Sequence, residues 1–258
     1  MSEKRLEGAE LVKPYSETGD KGAQVEEMFD SIAPKYDFMN TAMTFGLHRY
    51  WRDRALMVAL RERKSSEIKR VLDVDTGTGD VAFWLHRQLP EAAVKGIDLS
   101  EGMLKIAREK QKKHGETDKN PIEFSQGDCL NIDSPDNTFD FVSVAYGVRN
   151  FEHLDKGYDE IYRVMAPGGV LCVIELSVPE NALTRAAYNL YSRHLIPAVG
   201  QMVSGDSRAY SYLPESIAAA PQRKDMARLM QRSGFKQCRW KSLTFGAVTF
   251  YIARKPAK

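Results

Sequence analysis

The sequence is poor in the features that would tie it to a membrane, a disulfide framework or nucleic acid. It holds three cysteines, at positions 129, 172 and 238, and no pair of them has the spacing of metal ligands. No run of about 18 apolar residues occurs, so we expect no membrane-spanning helix. The 37 basic and 35 acidic residues are interleaved along the chain, and the net charge of +2 predicts no nucleic-acid partner.

The beginning of the chain is polar and has no periodic pattern. Residues 1–23 lack the apolar core of a signal peptide, which favours a cytoplasmic location. We expect a flexible arm over 1–23 and one domain over 24–258, which is long enough to enclose a single core. Residues 24–63 place apolar side chains at intervals of three and four, beginning with Val25 and Met28, and predict a helical lid.

From residue 70 to residue 176, short apolar runs alternate with amphipathic runs. This alternation is typical of an α/β protein with a doubly wound, mostly parallel sheet covered by helices on both faces. The sequence predicts strands at residues 70–75, 93–97, 122–125, 139–145 and 170–175, helices at residues 81–89, 101–113 and 155–164, and a Pro-Gly-Gly turn at 167–169.

The alternation ends after residue 176. Residues 177–221 are predicted to form an insertion, with an apolar-rich helix at 182–195 and an irregular region at 197–221. Residues 222–254 predict a last helix and an antiparallel hairpin, because apolar residues alternate over 244–253.

A Gly-rich turn with the sequence DVDTGTGD occupies residues 73–80, after the first predicted strand and before a helix. Its glycines let the backbone approach a ligand closely, and the start of the helix offers unpaired N–H groups. Asp98, at the end of the second strand, can accept both hydrogen bonds of a ribose diol. The turn therefore predicts a nucleotide-like cofactor. The candidate binding residues in this part of the chain are Asp73, Gly77, Thr78, Gly79 and Asp98.

Three classes of cofactor bind at turns of this kind. A Walker-type phosphate loop needs Gly-Lys-Ser/Thr, which the turn lacks. The spacing of Gly77, Gly79 and Ala82 satisfies a lenient nicotinamide fingerprint, so a nicotinamide-dependent oxidoreductase remains an alternative at this point. A methyltransferase turn has the same form, with Asp73 near the methionyl amino group of its cofactor.

Residues after the second strand favour the methyltransferase. Asp128, at the end of the third strand, can bind the exocyclic amine of adenine, with the backbone N–H of Cys129 meeting a ring nitrogen. The alternative for Asp128 is an ordinary turn or capping aspartate. Ala145 ends the fourth strand, at the edge of the sheet where ligands bind in such folds. The predicted terminal hairpin also suits the antiparallel end of a methyltransferase sheet.

Two longer segments resemble the signatures of the ubiquinone/menaquinone biosynthesis C-methyltransferase family. They are YDFMNTAMTFGLHRYW at residues 36–51 and RVMAPGGVLCVIELS at residues 163–177, with shorter matches at 147–151 and 210–217. The resemblance covers residues 24–254. It implies a class I, Rossmann-like methyltransferase of seven strands, S-adenosyl-L-methionine as cofactor and a polyprenylated quinol as substrate, with residues 177–221 on the substrate side.

Three residues depart from the pattern of this family. Thr44 stands where Ser is usual, Ala166 where Lys is usual, and Asp75 where Gly or Ala is usual. We expect Thr44 to be a surface hydroxyl and Ala166 to be a turn residue facing solvent. Asp75 either crowds the cofactor or turns away and accepts hydrogen bonds from its own turn. It also leaves open a methyltransferase-fold scaffold of a quinone-synthesis complex that methylates weakly.

The resemblance implies methylation of a ring carbon, which becomes nucleophilic when an ortho or para hydroxyl loses its proton. The protein must then align the reactants and stabilise the phenolate. The candidate catalytic residues are Arg149 as the cation facing the phenolate, His48 as a base that titrates in the right range, and Tyr36, Asp37 and Asn150 as orienting groups. The alternatives are that Tyr36 and Trp51 only pack the lid and that His48 is a capping or core residue.

A polyprenyl tail resides in a bilayer, so the resemblance also implies peripheral contact with the inner face of a membrane or delivery by a partner. The apolar residues of 182–203 are the candidate contact, unless they form an ordinary core helix. We favour demethylmenaquinol over the benzoquinol because the beginning of the chain has no mitochondrial import pattern. A homodimer is compatible with the sequence, and no metal site is expected.

Overall fold

Seven strands form one sheet in the computed structural model, which describes residues 8–114, 120–192 and 207–257. The strands are β1 (Arg70–Val74), β2 (Ala93–Asp98), β3 (Glu123–Gln126), β4 (Phe139–Ala145), β5 (Met165–Leu176), β6 (Lys236–Leu243) and β7 (Val248–Arg254). Their order is β3-β2-β1-β4-β5-β7-β6; β1 to β5 are parallel, and β7 is antiparallel to both β5 and β6. The predicted doubly wound sheet with an antiparallel terminal hairpin is confirmed.

Helices cover both faces of the sheet. They are α1 (Lys21–Ile32), α2 (Tyr36–Thr44), α3 (Leu47–Leu60), α4 (Asp80–Gln88), α5 (Glu101–His114), α6 (Leu154–Val164), α7 (Ala182–Leu190), α8 (Ser207–Ala219) and α9 (Lys224–Arg232). On one face, α6 and α9 bury Tyr158 and Leu229; on the other, α3, α4 and α5 bury Leu56, Leu85 and Leu104. Removing these apolar faces from water holds the layers together. No helix within the described ranges is long and apolar enough to span a bilayer.

The topology creates a crevice beside β1. This strand lies between β2 and β4, to which the chain connects in opposite directions across the sheet. The loops that follow β1 and β4 therefore separate at the carboxyl ends of the two strands, and ligands of open α/β sheets bind there. A third apolar cluster, with Met28, Met39 and Met103, packs α1 and α2 against α5 beside this crevice.

The Pro-Gly-Gly segment lies within a strand rather than before it. Phe139 pairs with Met165 and Phe141 pairs with Val170, so β5 has three more residues than β4 between these pairs. The extra residues bulge around Gly168, which has a φ of +75°. Backbone hydrogen bonds between this bulge and Lys255 keep it in the sheet. The sequence identified the irregularity, but only the pairing of Met165 with β4 and the hydrogen bonds to Lys255 make it part of β5.

The insertion is more regular than its sequence predicts. Residues 197–221 were expected to be irregular, yet α8 forms there with Pro214 inside it. Burial explains the helix: the side chains of Tyr212 and Ile217 are each only 2% exposed. Of the predicted helix at 182–195, α7 covers Ala182–Leu190, and residues 191–192 continue it in π-helical form. Residues 193–206 lie outside the described part of the chain.

The segment predicted as a flexible arm contacts the domain in its described part. Residues 8–11 are helical and Ala9 is 3% exposed. Lys21 is 1% exposed, and its Nζ donates to the carbonyl oxygens of Ala9, Arg149 and Phe151 at 3.0–3.2 Å. Burial lowers the pKa of Lys21 to about 8. This buried ammonium holds the segment in place, which a polar composition alone does not reveal; residues 1–7 lie outside the described residues.

Candidate active site

A cavity of about 300 Å³ opens at the carboxyl ends of β1, β2 and β4. It occupies the crevice predicted by the strand order, where ligands bind in sheets of this topology. Carboxylates contribute much of its polar surface. The lining residues that matter below are Asp75, Gly77, Asp98, Asp128, Ala145 and Asn150.

The two glycines of the Gly-rich turn have different tasks. Gly77 and Gly79 have φ values of +55° and +85°, in the region that favours glycine. Among the described residues, a Cβ at Gly77 would meet no atom within 4 Å, so this part of the turn is open to a ligand. A Cβ at Gly79 would lie 2.9 Å from the rings of Phe83 and Phe124. Gly79 therefore allows α4 to pack closely on β3.

Asp98 shapes the turn from the next strand. Its Oδ2 accepts a hydrogen bond from the backbone N–H of Gly77 at 2.7 Å, and its Oδ1 accepts one from Ser100 at 2.9 Å. Burial raises the pKa of Asp98 to about 6. Each carboxylate oxygen has a second acceptor position, so Asp98 is able to bind a ligand hydroxyl as well.

Asp128 combines the two arrangements that its sequence left as alternatives. Its Oδ1 accepts a hydrogen bond from the backbone N–H of Leu130 at 2.8 Å, as a turn aspartate does, and the residue also lines the cavity. The neighbouring Cys129 is 4% exposed and belongs to the apolar core, where burial raises the pKa of its thiol. Cys129 can therefore contribute to a ligand through its backbone but not through its sulfur.

Asp73 is enclosed by hydroxyl groups of the protein. Its Oδ1 accepts a hydrogen bond from Ser143 Oγ and its Oδ2 accepts one from Thr76 Oγ1, each at 2.6 Å. The residue is 1% exposed, and burial raises the pKa of its carboxyl to about 7. It lines a small cleft behind the turn rather than the main cavity. The hydrogen bond from Ser143 ties Asp73 to β4, and its place near the methionyl amino group stays a prediction.

A second cavity of about 270 Å³ lies beside the first and is mostly apolar. The lid helices α2 and α3 form one wall, and residues from α7, α8 and the turn at 244–247 form the other. Tyr36 and Tyr146 line both cavities and thus stand at their boundary. Trp51 is 5% exposed in the wall, where its Nε1 donates to Thr244 Oγ1 at 2.7 Å.

A buried ion pair stands in this apolar wall. Arg149 and Glu175 are 7% and 2% exposed, and the Nη1 of Arg149 lies 2.8 Å from Oε1 of Glu175. The other carboxylate oxygen accepts the backbone N–H of Arg149 at 3.2 Å. The Nε of Arg149 has no partner in the part of the chain that the structure describes. Arg149 also lines the second cavity.

Two tyrosine hydroxyls in the same wall also lack partners. Tyr146 and Tyr188 line the apolar cavity, and their hydroxyl groups are buried without a hydrogen bond to any described residue. Burial raises the pKa of both phenols, that of Tyr188 to about 12. An unpaired buried polar group costs about 1–3 kcal/mol. A ligand with oxygen atoms would remove this cost, so the cavity suits an apolar molecule that carries a few of them.

His48, near the start of the lid helix α3, lines a cleft that it shares with the Gly-rich turn. Its Nδ1 is 2.8 Å from Thr44 Oγ1, and the ring lines the apolar cavity. Burial lowers the pKa of His48, which favours the neutral imidazole. Thr44 was expected to be a surface hydroxyl; it is instead partly buried, and it also donates to the carbonyl oxygen of Asn40 at 2.6 Å.

The last two sequence candidates hold other parts of the site in place. Asp37 accepts a hydrogen bond from Thr78 Oγ1 at 2.6 Å and forms an ion pair with Lys110 at 2.6 Å. It thus joins the lid to the Gly-rich turn and lies outside the wall of the apolar cavity. Asn150 is 8% exposed and lines the first cavity, and its Oδ1 accepts a hydrogen bond from the hydroxyl of Tyr212 at 3.1 Å.

Comparison with known proteins agrees with this architecture. The model of the ubiE/COQ5 methyltransferase family matches residues 17–255. The chain belongs to that family. A demethylmenaquinone methyltransferase of Bacteroides fragilis is 43% identical over 246 residues, which are 95% of this chain and 98% of that protein. A ubiquinone/menaquinone biosynthesis C-methyltransferase of Geobacter sulfurreducens is 38% identical, over 93% of this chain and 91% of that protein.

Solved methyltransferases share the fold. A phosphoethanolamine N-methyltransferase of Haemonchus contortus has a TM-score of 0.58 at 17% identity, over 79% of this chain and 52% of that one. A methyltransferase from Aquifex aeolicus has a TM-score of 0.53 at 20% identity, over 79% and 98%. With the family membership, the predicted methyltransferase class and its cofactor, S-adenosyl-L-methionine, are confirmed.

Several residues of the site had no role in the sequence analysis. Glu175 carried a signal, because a carboxylate at the end of a strongly apolar run is rarely buried unless it is paired. Tyr146, Tyr188 and Lys21 carried none, since each is an ordinary residue until the fold brings it to the boundary of a cavity or under a loop. Their positions depend on contacts between distant segments.

Replacing Glu175 by alanine tests the buried ion pair. Glu175→Ala leaves the guanidinium of Arg149 buried without its carboxylate, which should lower the free energy of unfolding by about 3–5 kcal/mol. Denaturant unfolding of the ligand-free protein measures this.

The matched control is Glu123→Ala. Glu123 pairs with Lys95 at 3.1 Å, but its side chain is 65% exposed, so its loss should cost less than about 1 kcal/mol. If both substitutions have equally small effects, then Arg149 does not depend on Glu175 for its burial.

Proposed function

We propose that this chain transfers the methyl group of S-adenosyl-L-methionine to a ring carbon of a polyprenylated quinol, converting demethylmenaquinol to menaquinol. The observation that carries the proposal is the pair of adjoining cavities. One is rich in carboxylates, the other is mostly apolar, and Tyr36 and Tyr146 line both. Relatives named demethylmenaquinone methyltransferase, at 43% and 41% identity, support the choice of substrate.

The first cavity, with its carboxylates, has donors and acceptors suited to this cofactor. Asp98 would bind the ribose hydroxyls, Asp128 the adenine amine and the N–H of Cys129 a ring nitrogen. Gly77 leaves space for close approach, and Ala145 lines the cavity at the end of β4. Thr78 and Gly79, the other candidates of the turn, are buried behind this surface and would act by holding its shape. The bound cofactor supplies a methyl group that is already activated as a sulfonium. The protein therefore needs only to align the acceptor carbon and stabilise its charge.

Arg149 is the residue proposed to stabilise the quinol as a phenolate. Its Nε lacks a partner among the described residues, and the surrounding wall is apolar. In a site shielded from water, a cation acts strongly on a nearby oxyanion. The hydroxyls of Tyr146 and Tyr188 supply further donors at the same wall. A quinol has two ring oxygens to receive them.

His48 is the proposed base that removes the proton of the quinol. Its lowered pKa keeps the imidazole neutral near pH 7, which a base requires. Its hydrogen bond with Thr44 orients the ring from the lid. Tyr36 and Asn150 orient the reactants at the boundary of the cavities, and Asp37 acts on the same alignment through Thr78 of the turn.

Peripheral contact with a lipid bilayer completes the proposal, because the tail of the quinol resides there. Phe45 lines the apolar cavity and is 80% exposed, and Phe245, next to Thr244 of the same cavity, is 83% exposed. No residue of the fully described helix α7 is buried, and its Leu183 is 80% exposed. Exposed apolar side chains beside an apolar cavity suit a lipid surface. Residues 193–203 of the predicted contact lie outside the described chain.

Transfer of labelled methyl groups tests the substrate. The protein is incubated with methyl-labelled S-adenosyl-L-methionine and reduced naphthoquinols or benzoquinols that carry short prenyl tails. We expect label in the naphthoquinol ring at a rate at least tenfold higher than in the benzoquinol. If neither ring accepts the label while another small molecule does, the quinol assignment is wrong.

Asp98→Ala tests the cofactor cavity. Hydrogen bonds to charged groups contribute about 1.5–3 kcal/mol, so we expect the dissociation constant of S-adenosylhomocysteine to rise by about ten- to a hundredfold. Calorimetric titration gives the value. Asp133→Ala, at an exposed carboxylate, is the control and should bind as the unchanged protein does. Equal affinities of the two variants would show that Asp98 does not bind the cofactor.

Vesicle co-sedimentation tests the membrane contact. We expect the protein to sediment with vesicles of phosphatidylcholine and phosphatidylglycerol, and the double variant Phe45→Ser/Phe245→Ser to lose most of this binding. The control is Trp240→Ser, at an exposed aromatic residue of the edge strand β6. A protein that stays in the supernatant, or a control that loses as much binding as the double variant, would contradict this contact.

A further inference from the structure

Asp75, the second carboxylate of the Gly-rich turn, lines the first cavity, where the cofactor is proposed to bind. It follows β1 with a φ of +52°, in the left-handed region. Its side chain lies directly against Gly147, after β4: a Cβ at Gly147 would be only 2.6 Å from the Cβ of Asp75. Glycine at position 147 thus makes room for Asp75, whose side chain lines the main cavity.

The carboxylate of Asp75 differs from its neighbours in having no donor within the described chain. Both oxygens of Asp73 accept hydrogen bonds from hydroxyl groups, and both oxygens of Asp98 accept hydrogen bonds from backbone N–H groups. Asp75 does not accept hydrogen bonds from the N–H groups of its own turn, which was one of the two alternatives left by the sequence. Of these three carboxylates, Asp75 is the one whose two oxygens both remain without a hydrogen bond from a described residue.

The surroundings of Asp75 favour a cationic ligand. Burial is the main cause that raises its pKa well above the usual value, and the carboxylates of Asp98, Asp73, Asp128 and Glu175 add to the effect. Without a cation, an ionised Asp75 stands among negative charges. A positive charge in the cavity would stabilise the ionised form.

The position of Asp75 indicates which charged group of the cofactor would lie next to it. Gly147, which it touches, follows Tyr146, and Tyr146 lines both cavities. A methyl group has to pass from one cavity to the other at this boundary, so the sulfonium of the cofactor must lie near it. The product S-adenosylhomocysteine has a neutral thioether at the same place.

We propose that Asp75 is the counter-ion of the cofactor's sulfonium and makes the protein prefer S-adenosyl-L-methionine to S-adenosylhomocysteine. The proposal rests on the cofactor assignment above. Asp75 would thus assist the replacement of product by fresh cofactor. It attracts the charged cofactor before methyl transfer but not the neutral product after it, so the product is bound less tightly.

Asp75→Asn isolates the charge. Asparagine has nearly the same size and tolerates left-handed backbone, so the turn should keep its shape. Calorimetric titration of the full chain with both ligands gives the ratio of the two dissociation constants. We expect the variant to bind S-adenosyl-L-methionine at least tenfold more weakly and S-adenosylhomocysteine within about threefold of the unchanged protein, which also shows that the site is folded.

Asp128→Asn is the matched control in the same cavity. Because both ligands carry adenine, this variant should weaken both to the same extent and leave their ratio unchanged. Sinefungin, which carries a protonated amine at the sulfonium position, gives a second measurement: Asp75→Asn should weaken it as it weakens S-adenosyl-L-methionine.

The outcomes separate this inference from the proposed function. If the unchanged protein binds neither ligand, the cofactor assignment and the proposed function fail together. If it binds both, and Asp75→Asn leaves their ratio unchanged or weakens them equally, the function stands and the role of Asp75 is overturned.

Discussion

The buried ion pair between Arg149 and Glu175 is the interaction on which both cavities depend. It joins the turn at Val148–Asn150 to the end of β5, in a wall where an unpaired charge would be strongly unfavourable. The same turn receives Lys21 from the N-terminal segment through the carbonyl of Arg149, and Tyr212 of the insertion through Asn150. The N-terminal segment and the insertion therefore meet on two neighbouring residues, Arg149 and Asn150.

This arrangement gives the two cavities opposite electrostatic characters. Asp75, Asp98 and Asp128 surround the first cavity, which suits a cofactor with positive charge at its reacting end. Arg149 and two tyrosine hydroxyls project into the apolar wall of the second, which suits a ring that acquires negative charge on oxygen. On the proposed function, the positive methyl donor and the negative acceptor would each face the opposite charge, on either side of the boundary that Tyr36 and Tyr146 line.

Local pattern and topology rules were enough to predict most of the fold. Burial on both faces makes the parallel strands continuous apolar runs, which is why 139–145 was predicted with its observed bounds. The errors occurred where distant contacts override local preference. The helix α8 forms around Pro214 because Tyr212 and Ile217 are buried, and residues 8–23 are held by a lysine with two acceptors that lie more than a hundred residues away.

The Gly-rich turn, Asp98 and Asp128 were identified by the sequence alone, because a strand, a turn and a helix in that order determine which backbone and side-chain groups reach the carboxyl edge of a sheet. The sequence alone also connected these residues with a methyltransferase family. Only the tertiary structure decided which carboxylate is enclosed by hydroxyl groups of the protein and which faces the main cavity. Asp73 and Asp75 are two residues apart, yet Ser143 and Thr76 enclose the first, while Gly147 leaves space for the second. The physical reason is that hydrogen-bond partners come from strands that are distant in sequence, so the partner of a charge cannot be read from its neighbours in the chain.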